Sequence, residues 1–376
     1  MMIGTLKEKG NETRVAITPQ SAKNYSKLGF TVAIEENAGL TSGFSNDHYQ
    51  QAGVQVLNKT QLLQQCQVLL CVNEPNSQDL SGISPEALII APIDLNPDNP
   101  LISWAKEKHL SLLSMNLIPR ISRAQSMDSL SSQANVAGYR AVLAGVNAYQ
   151  RVVPMMMTAA GMIQPAKVLV LGAGVAGLQA IATAKRLGAV VYAFDVRRAA
   201  KEQVESLGAE FIEVAVDENN ETQGGYASET SEEYKLKQAE LIDQYAKMAD
   251  IVISTALIPG RKAPILLYKK TVEAMKPGAV IVDLATSRGG NCEVSELDKT
   301  ITYKDITIIG HNNLACLVPA TASELYANNL GHLLQLLASE PNKITFNPQD
   351  EIIQQAVLCH QGHYLPFQVE KESNHA

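Results

Sequence analysis

The sequence predicts an α/β fold with two Rossmann-like, doubly wound domains that face a cleft, the second of which carries a glycine fingerprint. Three observations predict it. The chain has 376 residues, which is too long for one ordinary core and suggests two domains. Short apolar segments typical of buried strands alternate with helical segments along most of the chain. One of those strand segments runs directly into a glycine-rich turn and a helix.

Composition describes a folded chain and excludes some partners. Hydrophobic residues make up 46% and charged residues 18% of the chain, as in globular proteins. The net charge of -7, with no basic run to offset it, argues against nucleic acid or an anionic membrane as the main partner. No apolar run reaches the roughly 18 to 20 residues that span a bilayer, and Met1 is followed by no signal peptide. We therefore expect a chain with no membrane span of its own.

The cysteines predict neither disulfides nor a metal. There are five of them, an odd number without paired zinc spacing, which suits a reducing compartment. Cys359, His360 and His363 lie close together in the sequence but lack a clear further ligand. We predict no metal site.

The first domain is predicted from residues 1–133 together with 322–376. The segment Thr321–Leu337 has helical apolar spacing and is expected to return to this domain. Residues 120–133 are expected near the crossing between the two domains. The strand candidates are Met2–Leu6, Phe30–Glu35, Gln67–Val72, Ala87–Ala91 and Leu110–Met115.

The second domain, residues 134–321, contains the clearest local signal. The strand candidate Val168–Leu171 leads into Gly172, Gly174 and Gly177, which have G-x-G-x-x-G spacing. These glycines allow a tight turn, close approach of a pyrophosphate, and close packing of helix on strand. The helix N-terminus adds N-H groups and a positive dipole end for that anion. This strand-turn-helix unit predicts a dinucleotide site.

Asp195 ends the next strand, where a carboxylate accepts hydrogen bonds from the ribose of the adenosine. A 2'-phosphate at about 4 to 5 Å would be repelled by roughly 3 to 4 kcal/mol per charge at an effective dielectric of 20. NAD(H) is thus favoured over NADP(H). Arg197 and Arg198 follow directly and are able to bind a phosphate, so NADP(H) binding remains an alternative.

The remaining strands complete the predicted sheet. Ala256 and Leu257 come just past the end of one of them, where sheets of this kind bind their ligand. The candidates are Glu210–Ala215, Ala249–Thr255, Ala279–Leu284 and Ile306–Gly310.

The segment from Asp217 to Tyr234 breaks the pattern with six acidic residues and no basic residue. It contains the pair Gly224-Gly225 and an isolated aromatic residue, Tyr226. Two interpretations remain open: a solvated loop, or a lid with a glycine hinge at the end of a strand.

The stretch RISRAQSMDSLSSQ occupies residues 120–133. If a helix begins near Ala124, then Gln125, Asp128 and Ser131 lie on one face, with Arg120 just before them. Without further context the same pattern also describes a helix cap with a surface ion pair.

Several segments together resemble the NAD(H)-binding component, domain I, of proton-translocating transhydrogenase. They are GTLKEKGNETRVAITP near the start, PMMMTAAG at residues 154–161, VLVLGAGVAGLQAIATAKRLGA around the glycines, and above all RISRAQSMDSLSSQ. The resemblance covers nearly the whole chain, and the last segment is far more discriminating than the glycines.

This resemblance implies site residues at both ends of the nucleotide. The nicotinamide end is expected at Arg120, Gln125, Asp128 and Ser131, where Arg120 and Asp128 pair to fix the loop. The family's mobile loop falls on Gly224, Gly225 and Tyr226. Further NAD(H) contacts are expected at Val175, Asp195, Val196, Arg197 and Leu257.

The resemblance also implies partners. Hydride transfer between two nicotinamides requires proximity of about 3 to 3.5 Å and correct orientation, with no protein acid or base at the reacting carbons. In this family a domain III subunit binds NADP(H), and membrane domain II couples the transfer to proton movement. The resemblance further implies that the chain forms a homodimer. It implies a cytoplasmic protein that is peripheral on the cytoplasmic face of the bacterial inner membrane.

Alanine dehydrogenase shares the fold and the N-terminal pattern, and Arg14 matches the position that holds the substrate carboxylate there. That family also uses a lysine in a KEP-like sequence and a histidine about twenty residues later. This chain has Asn73 and Asp94 at those places, so both proton-handling groups are missing and Arg14 is expected to be a structural ion-pair residue. A third interpretation, an NAD-responsive binding protein without turnover, also remains open.

Overall fold

The computed structural model describes residues 1–96, 98–214, 232–258 and 261–364. The chain divides into two compact units. The first contains residues 1–133 and the residues from Cys316 onward, and the second contains residues 134–315.

The helices and strands alternate through both units. From the N-terminus they are β1 (Met2–Thr5), α1 (Pro19–Lys27), β2 (Thr31–Glu35), α2 (Asn46–Gln51), β3 (Gln55–Leu57), α3 (Lys59–Gln65), β4 (Val68–Leu70), β5 (Leu88–Ala91), α4 (Pro100–Glu107), β6 (Ser111–Ser114) and α5 (Ser129–Ala148). They continue with β7 (Met156–Thr158), β8 (Gly161–Ile163), β9 (Lys167–Leu171), α6 (Val175–Arg186), β10 (Val190–Phe194), α7 (Ala200–Ser206), β11 (Glu210–Phe211), α8 (Glu232–Met248) and β12 (Ile251–Ser254). The last are α9 (Lys269–Glu273), β13 (Val280–Asp283), β14 (Thr300–Tyr303), β15 (Ile306–Ile309), α10 (Pro319–Leu337), α11 (Glu351–Ala356), β16 (Val357–His360) and β17 (His363–Tyr364).

The first unit is built on an eight-stranded sheet in the order β17-β16-β6-β5-β4-β1-β2-β3. Strands β1 to β6 are all parallel, so six of the eight follow the strand order of a dinucleotide-binding fold. β16 extends the β6 edge in the antiparallel direction. This unit therefore has a doubly wound sheet without a glycine fingerprint.

Helices cover both faces of that sheet. On β5, Leu88 and Ile90 pack in the core that includes the buried leucines of α10, whereas Ile89 faces the core that contains α3 and α4. Both faces of a parallel strand are thus buried, which explains its continuous apolar run. The predicted helix over Thr321–Leu337 is confirmed, and it begins two residues earlier, at Pro319.

The second unit has a seven-stranded sheet in the order β11-β10-β9-β12-β13-β15-β14. All its pairs are parallel except the one between β14 and β15. The strand order reverses between β9 and β12, and ligands of such sheets bind outside the carboxyl ends of the strands at that point. Both units therefore confirm the predicted α/β class with two Rossmann-like domains.

A separate hairpin, β7 with β8, belongs to neither large sheet. Its apolar side chains are exposed: Met157 by 77% and its cross-strand neighbour Met162 by 55%. Met155, just before the hairpin, is 60% exposed. The sequence analysis did not predict this hairpin.

The structure corrects the prediction for residues 120–133. A helix was expected from about Ala124, but Ser122–Met127 forms a 3-10 helix and α5 begins only at Ser129. Asp128 separates the 3-10 helix from α5 because its backbone lies outside the helical region, with φ -71° and ψ 88°. The short strands β3, β14 and β16 were also missed. Within the described residues, no helix combines the length and the apolar character that a membrane span requires.

Candidate functional site

The glycine turn after β9 has the geometry that its spacing predicts. Gly172 has φ +97°, a left-handed conformation that favours glycine, and a Cβ at Gly177 would lie 1.8 Å from the Gly172 carbonyl oxygen. At Gly174, a Cβ would meet no atom within 4 Å. The first and third glycines are therefore required by packing, whereas the second borders open space that a pyrophosphate can enter.

Helix α6 begins in this turn with Gly174 as its N-cap, and no side chain caps it. The first N-H groups of an α-helix have no partner inside the helix, so this end is suited to bind an anion. Gly138 of α5 lies so close that a Cβ there would be 2.1 Å from the Ala176 carbonyl oxygen. That contact fixes the position of the first turn of α6.

Asp195, at the end of β10, is connected to the glycine turn. Its Oδ2 accepts a hydrogen bond of 2.7 Å from the Ala173 backbone N-H. Arg197 donates to Oδ1 from its backbone N-H and from Nε, and to Oδ2 from Nη2, each at 2.9 Å. A carboxylate has about four acceptor positions. The four donors from Ala173 and Arg197 therefore fill the acceptor positions of Asp195.

A buried asparagine that the sequence analysis missed holds the loop after β12. Asn291 is fully buried, and its Oδ1 accepts from the Ala256 N-H at 3.0 Å. Its Nδ2 donates to the carbonyl oxygens of Ala256 and Pro264, both at 2.8 Å. Asp283, at the end of β13, accepts from the Asn291 N-H at 2.9 Å. The pair Gly289-Gly290 was the only local signal of this turn.

Two apolar side chains predicted to contact NAD(H) are open to solvent at this edge of the sheet. Val175 is 40% exposed at the start of α6, and Leu257 is 47% exposed in the loop after β12. Because β9 and β12 are hydrogen-bonded neighbours, both residues lie at the switch point of the same sheet. Val196 is half-buried beside Asp195.

The predicted mobile-loop residues Gly225 and Tyr226 lie outside the described residues, as does Gly224. Their assignment stays a prediction. Ala215, the last residue of the predicted strand Glu210–Ala215, is also outside, and the strand that the structure describes there is Glu210–Phe211.

In the first unit, Asp128 is the N-cap residue of α5. Its Oδ1 accepts from the Ser131 backbone N-H at 2.9 Å, and its Oδ2 accepts from the Ser131 hydroxyl at 2.5 Å. The pairing of Asp128 with Arg120 stays a prediction, because each carboxylate oxygen that accepts from Ser131 has a further acceptor position. Asp128 thus has a local structural role, which explains why the helix starts where it does.

Gln125 and Arg120 have side chains exposed to solvent, while Ala124 and Met127 between and beside them are buried. The buried pair anchors the 3-10 turn, and the exposed amide of Gln125 retains its donors and acceptor for a ligand. A surface ion pair is present nearby, but it joins Arg123 to Asp350 at 2.7 Å.

Arg14 forms a buried, bidentate ion pair with Glu12. Nε donates to Glu12 Oε1 at 2.8 Å and Nη2 to Oε2 at 2.7 Å, and the third arm, Nη1, donates to Gln133 at 2.8 Å. Burial by itself would raise the pKa of Glu12, but the hydrogen bonds and charge of Arg14 lower it to about 2. The prediction that Arg14 is an ion-pair residue is confirmed.

Asn73 and Asp94 also have partners within the first unit. The Asn73 amide donates to Glu12 at 3.1 Å and to Glu8 at 3.3 Å. Asp94 accepts from the Asn116 amide at 2.8 Å. Burial raises the pKa of Glu8. Neither Asn73 nor Asp94 is a lysine or a histidine, and the Asn73 amide has no proton to exchange near neutral pH.

Among the residues that the structure describes, no three histidine, cysteine or acidic side chains are grouped to hold a metal ion. Cys359 donates to the Leu110 carbonyl oxygen at 3.5 Å, and the His360 ring contacts the Ser111 hydroxyl at 3.2 Å.

Comparison with known proteins finds two family models that match successive parts of the chain. The family model "Alanine dehydrogenase/PNT, N-terminal domain" matches residues 4–137, and the corresponding C-terminal domain model matches residues 141–366. An NAD(P) transhydrogenase alpha-subunit polypeptide of Rickettsia prowazekii is 42% identical over 98% of this chain and 97% of its own length.

Two solved structures place the fold in the same group. The crystal structure of transhydrogenase from Sinorhizobium meliloti superimposes with a TM-score of 0.88 at 45% identity, over 97% of this chain and all of that one. An L-alanine dehydrogenase gives a TM-score of 0.80 at 25% identity, over 97% of both chains. The chain therefore belongs to the alanine dehydrogenase/PNT family, and within it to the NAD(P) transhydrogenase alpha subunits.

Proposed function

We propose that this chain is the NAD(H)-binding subunit of a proton-translocating transhydrogenase. In this proposal it takes part in direct hydride transfer between its own NAD(H) and NADP(H) on a partner subunit. The observation that carries the proposal is a glycine turn built for a dinucleotide, in a chain whose Arg14 is paired with Glu12. Asn73 and Asp94 stand where alanine dehydrogenases are expected to have a lysine and a histidine. Such a chain is equipped to bind and orient a nicotinamide cofactor, but not to oxidise an amino acid.

The residues at the switch point suit NAD(H). The pyrophosphate would lie against Gly174 and the first N-H groups of α6, where a Cβ would meet nothing within 4 Å. Asp195 would accept from the ribose, and Val175, Val196 and Leu257 would contact the nucleotide through apolar surface. The cofactor supplies the hydride chemistry, while these side chains bind it and set its orientation.

The nicotinamide end is assigned to Arg120, Gln125, Asp128 and Ser131. The exposed Gln125 amide is suited to the carboxamide, which needs one donor and one acceptor. Asp128 and Ser131 would contribute mainly by holding the turn, because their side chains are already bonded to each other. Arg120 would supply a positive charge at the exposed start of the segment.

A second nucleotide on another polypeptide completes this chemistry, and the name of the Rickettsia prowazekii relative, which makes it a piece of an alpha subunit, supports the existence of partner subunits. We assign NADP(H) to a domain III partner and proton coupling to a membrane domain II partner. The chain itself would be cytoplasmic and peripheral to the inner membrane.

We also propose a homodimer in which the hairpin of β7 and β8 is covered by a second copy. A two-stranded hairpin is at best marginally stable in water by itself, and here Met157 and Met162 form an exposed cross-strand pair. Permanent homodimer interfaces are more apolar than the rest of a protein surface, which suits this segment.

The first prediction tests the function directly. With NADPH, a spectrally distinct NAD analogue and an NADP-binding partner subunit, the chain should catalyse hydride transfer without incorporation of deuterium from solvent. Gln125→Ala should slow transfer in single turnovers by about 10- to 100-fold through loss of orientation. NADH affinity, measured by fluorescence titration, should change far less, because the adenosine and pyrophosphate contacts remain.

Solvent deuterium at C4 of the reduced product would rule out direct transfer. A loss of rate in Gln125→Ala that is fully explained by weaker NADH binding would instead remove Gln125 from the positioning role.

The second prediction concerns cofactor choice. The chain should bind NADH at least about tenfold more tightly than NADPH, a difference of about 1.4 kcal/mol. Asp195→Asn should narrow this gap because it removes the charge that repels a 2'-phosphate. Arg197→Ala should widen it, because the guanidinium beside Asp195 partly offsets that charge. Calorimetric titration of each protein with both nucleotides measures the gap, and equal affinities in the unmodified protein contradict the assignment.

The third prediction concerns the related amino-acid chemistry. The isolated chain should not oxidise L-alanine with NAD, because each missing acid or base group is typically worth about 10²- to 10⁴-fold. Arg14 is also unavailable to a substrate carboxylate while Glu12 occupies two of its three arms. The measurement is NADH formation at 340 nm, with an alanine dehydrogenase assayed in parallel as the positive control. Alanine turnover by the chain would refute the transhydrogenase proposal.

The fourth prediction tests the hairpin. The double variant Met157→Glu/Met162→Glu should be monomeric in sedimentation equilibrium at concentrations where the unmodified chain is dimeric, because four like charges would meet across the interface. The matched control is Leu236→Glu, which places a charge on a leucine that is 67% exposed on α8. The control should remain dimeric. A monomeric unmodified chain, or a dimeric hairpin variant, would show that the hairpin is not the contact between copies.

A further inference from the structure

Asn329 is a buried polar residue in the middle of α10, a helix whose other buried residues are leucines, alanines, Tyr326 and Ser323. It is only 7% exposed. Asparagine is a poor residue for a helix interior, and a buried amide destabilises the fold unless its hydrogen bonds are made. Packing alone does not explain an asparagine at this position.

Both ends of the Asn329 amide are hydrogen-bonded to the segment that precedes and starts α5. Nδ2 donates to the Ser126 carbonyl oxygen at 2.8 Å. Oδ1 accepts from the Ser132 hydroxyl at 2.6 Å. These two contacts lie on either side of Asp128 in the sequence. One side chain of α10 therefore forms hydrogen bonds to the chain both before and after Asp128.

The two residues that Asn329 contacts lie next to proposed nicotinamide residues in the sequence. Ser126 directly follows Gln125, and Ser132 directly follows Ser131. The Gln125 side chain is exposed and gains no fixed position from packing of its own. Its location therefore depends on the backbone of Ser126, which Asn329 holds.

A second bridge holds the next residue of α5. Gln133 accepts from Arg14 Nη1 at 2.8 Å and donates to the Ala322 carbonyl oxygen of α10 at 3.0 Å. The start of α5 is thus fixed to α10 at two successive residues, Ser132 and Gln133. Removal of Asn329 should loosen the 3-10 turn while Gln133 still keeps α5 in place.

We propose that Asn329 is a positioning residue for hydride transfer, which acts by holding the backbone of the turn that carries Gln125 and Asp128. The inference rests on the proposed function, since it takes these two residues to be at the nicotinamide end. Asn329 itself need not touch the cofactor. Its effect is on the orientation of the groups that do, and a displacement of about 1 Å at such groups is able to cost 10²-fold in rate.

The test compares Asn329→Asp with Asn328→Asp. Asn329→Asp keeps the shape of the side chain and the acceptor for Ser132. It places an oxygen against the Ser126 carbonyl oxygen, so the hydrogen bond to Ser126 is lost. Asn328 is the neighbouring, exposed residue of the same helix, so its substitution adds the same charge without the contacts. Ser132→Ala is a milder variant that removes the hydroxyl contact to Asn329, together with a local contact to the Ser129 carbonyl oxygen. It keeps the test valid if a buried aspartate prevents folding.

With the NADP-binding partner present, Asn329→Asp should slow single-turnover hydride transfer by about 10- to 100-fold, and Ser132→Ala should slow it by about 3- to 10-fold. In both variants the dissociation constant for NADH, measured on protein shown by circular dichroism to be folded, should stay within about threefold of the unmodified value. Asn328→Asp should match the unmodified chain in both measurements. A purely structural role would not separate rate from binding in this way.

A double-mutant cycle then identifies the route of the effect. In a Gln125→Ala background, Asn329→Asp should reduce the rate by less than about threefold further, because the group it positions is already absent. Fully multiplicative effects would show that Asn329 does not act through Gln125 and would overturn the proposal.

The remaining outcomes separate the two hypotheses. If the unmodified chain transfers hydride and Gln125→Ala is slow, but Asn329→Asp and Ser132→Ala both behave like Asn328→Asp, only the role of Asn329 is refuted. If the unmodified chain shows no transfer with the partner, the proposed function is refuted and the role of Asn329 with it.

Discussion

The second unit depends on one close contact, the packing of α6 against the turn that ends β9. A Cβ at Gly177 would lie 1.8 Å from the Gly172 carbonyl oxygen, so only glycine lets the helix approach the strand this closely. Because of that approach, the N-terminus of α6 points past Gly174 into open space at the switch point of the sheet. The position of the helix dipole, the orientation of Asp195 toward Ala173 and the exposure of Val175 all follow from it.

Around this turn, polar side chains hold loops that have no regular structure of their own. Asp195 joins the end of β10 to the glycine turn, and Asn291 makes three hydrogen bonds to the loop that carries Leu257. Buried polar groups of this kind are favourable only when all of their hydrogen bonds are made, and then they favour one arrangement over its alternatives. These hydrogen bonds hold the loops at the carboxyl ends of β10 and β12 in place.

In the first unit, a buried ion pair supports the start of α5. Its Arg14 is paired with Glu12, whose pKa is lowered to about 2 because the hydrogen bonds and charge of Arg14 outweigh its burial. The guanidinium also supports Gln133 and thereby the start of α5. Arg14 is thus part of the scaffold behind the 122–132 segment. The same scaffold includes Asn329, whose two hydrogen bonds set the turn on which Gln125 is displayed.

The sequence by itself determined the α/β class, most of the parallel strands of both sheets, the glycine turn and the position of Asp195. These features depend on periodicity and on spacing within some thirty residues, where local sterics and backbone hydrogen bonding dominate. Only the tertiary structure decided that Asp195 is already saturated by Ala173 and Arg197, that residues 122–127 form a 3-10 turn, and that Asp128 caps α5. It alone brought Asn329 to Ser126, a residue 203 positions away. Contacts between residues so far apart in sequence depend on how whole helices pack, so a local sequence pattern does not predict them.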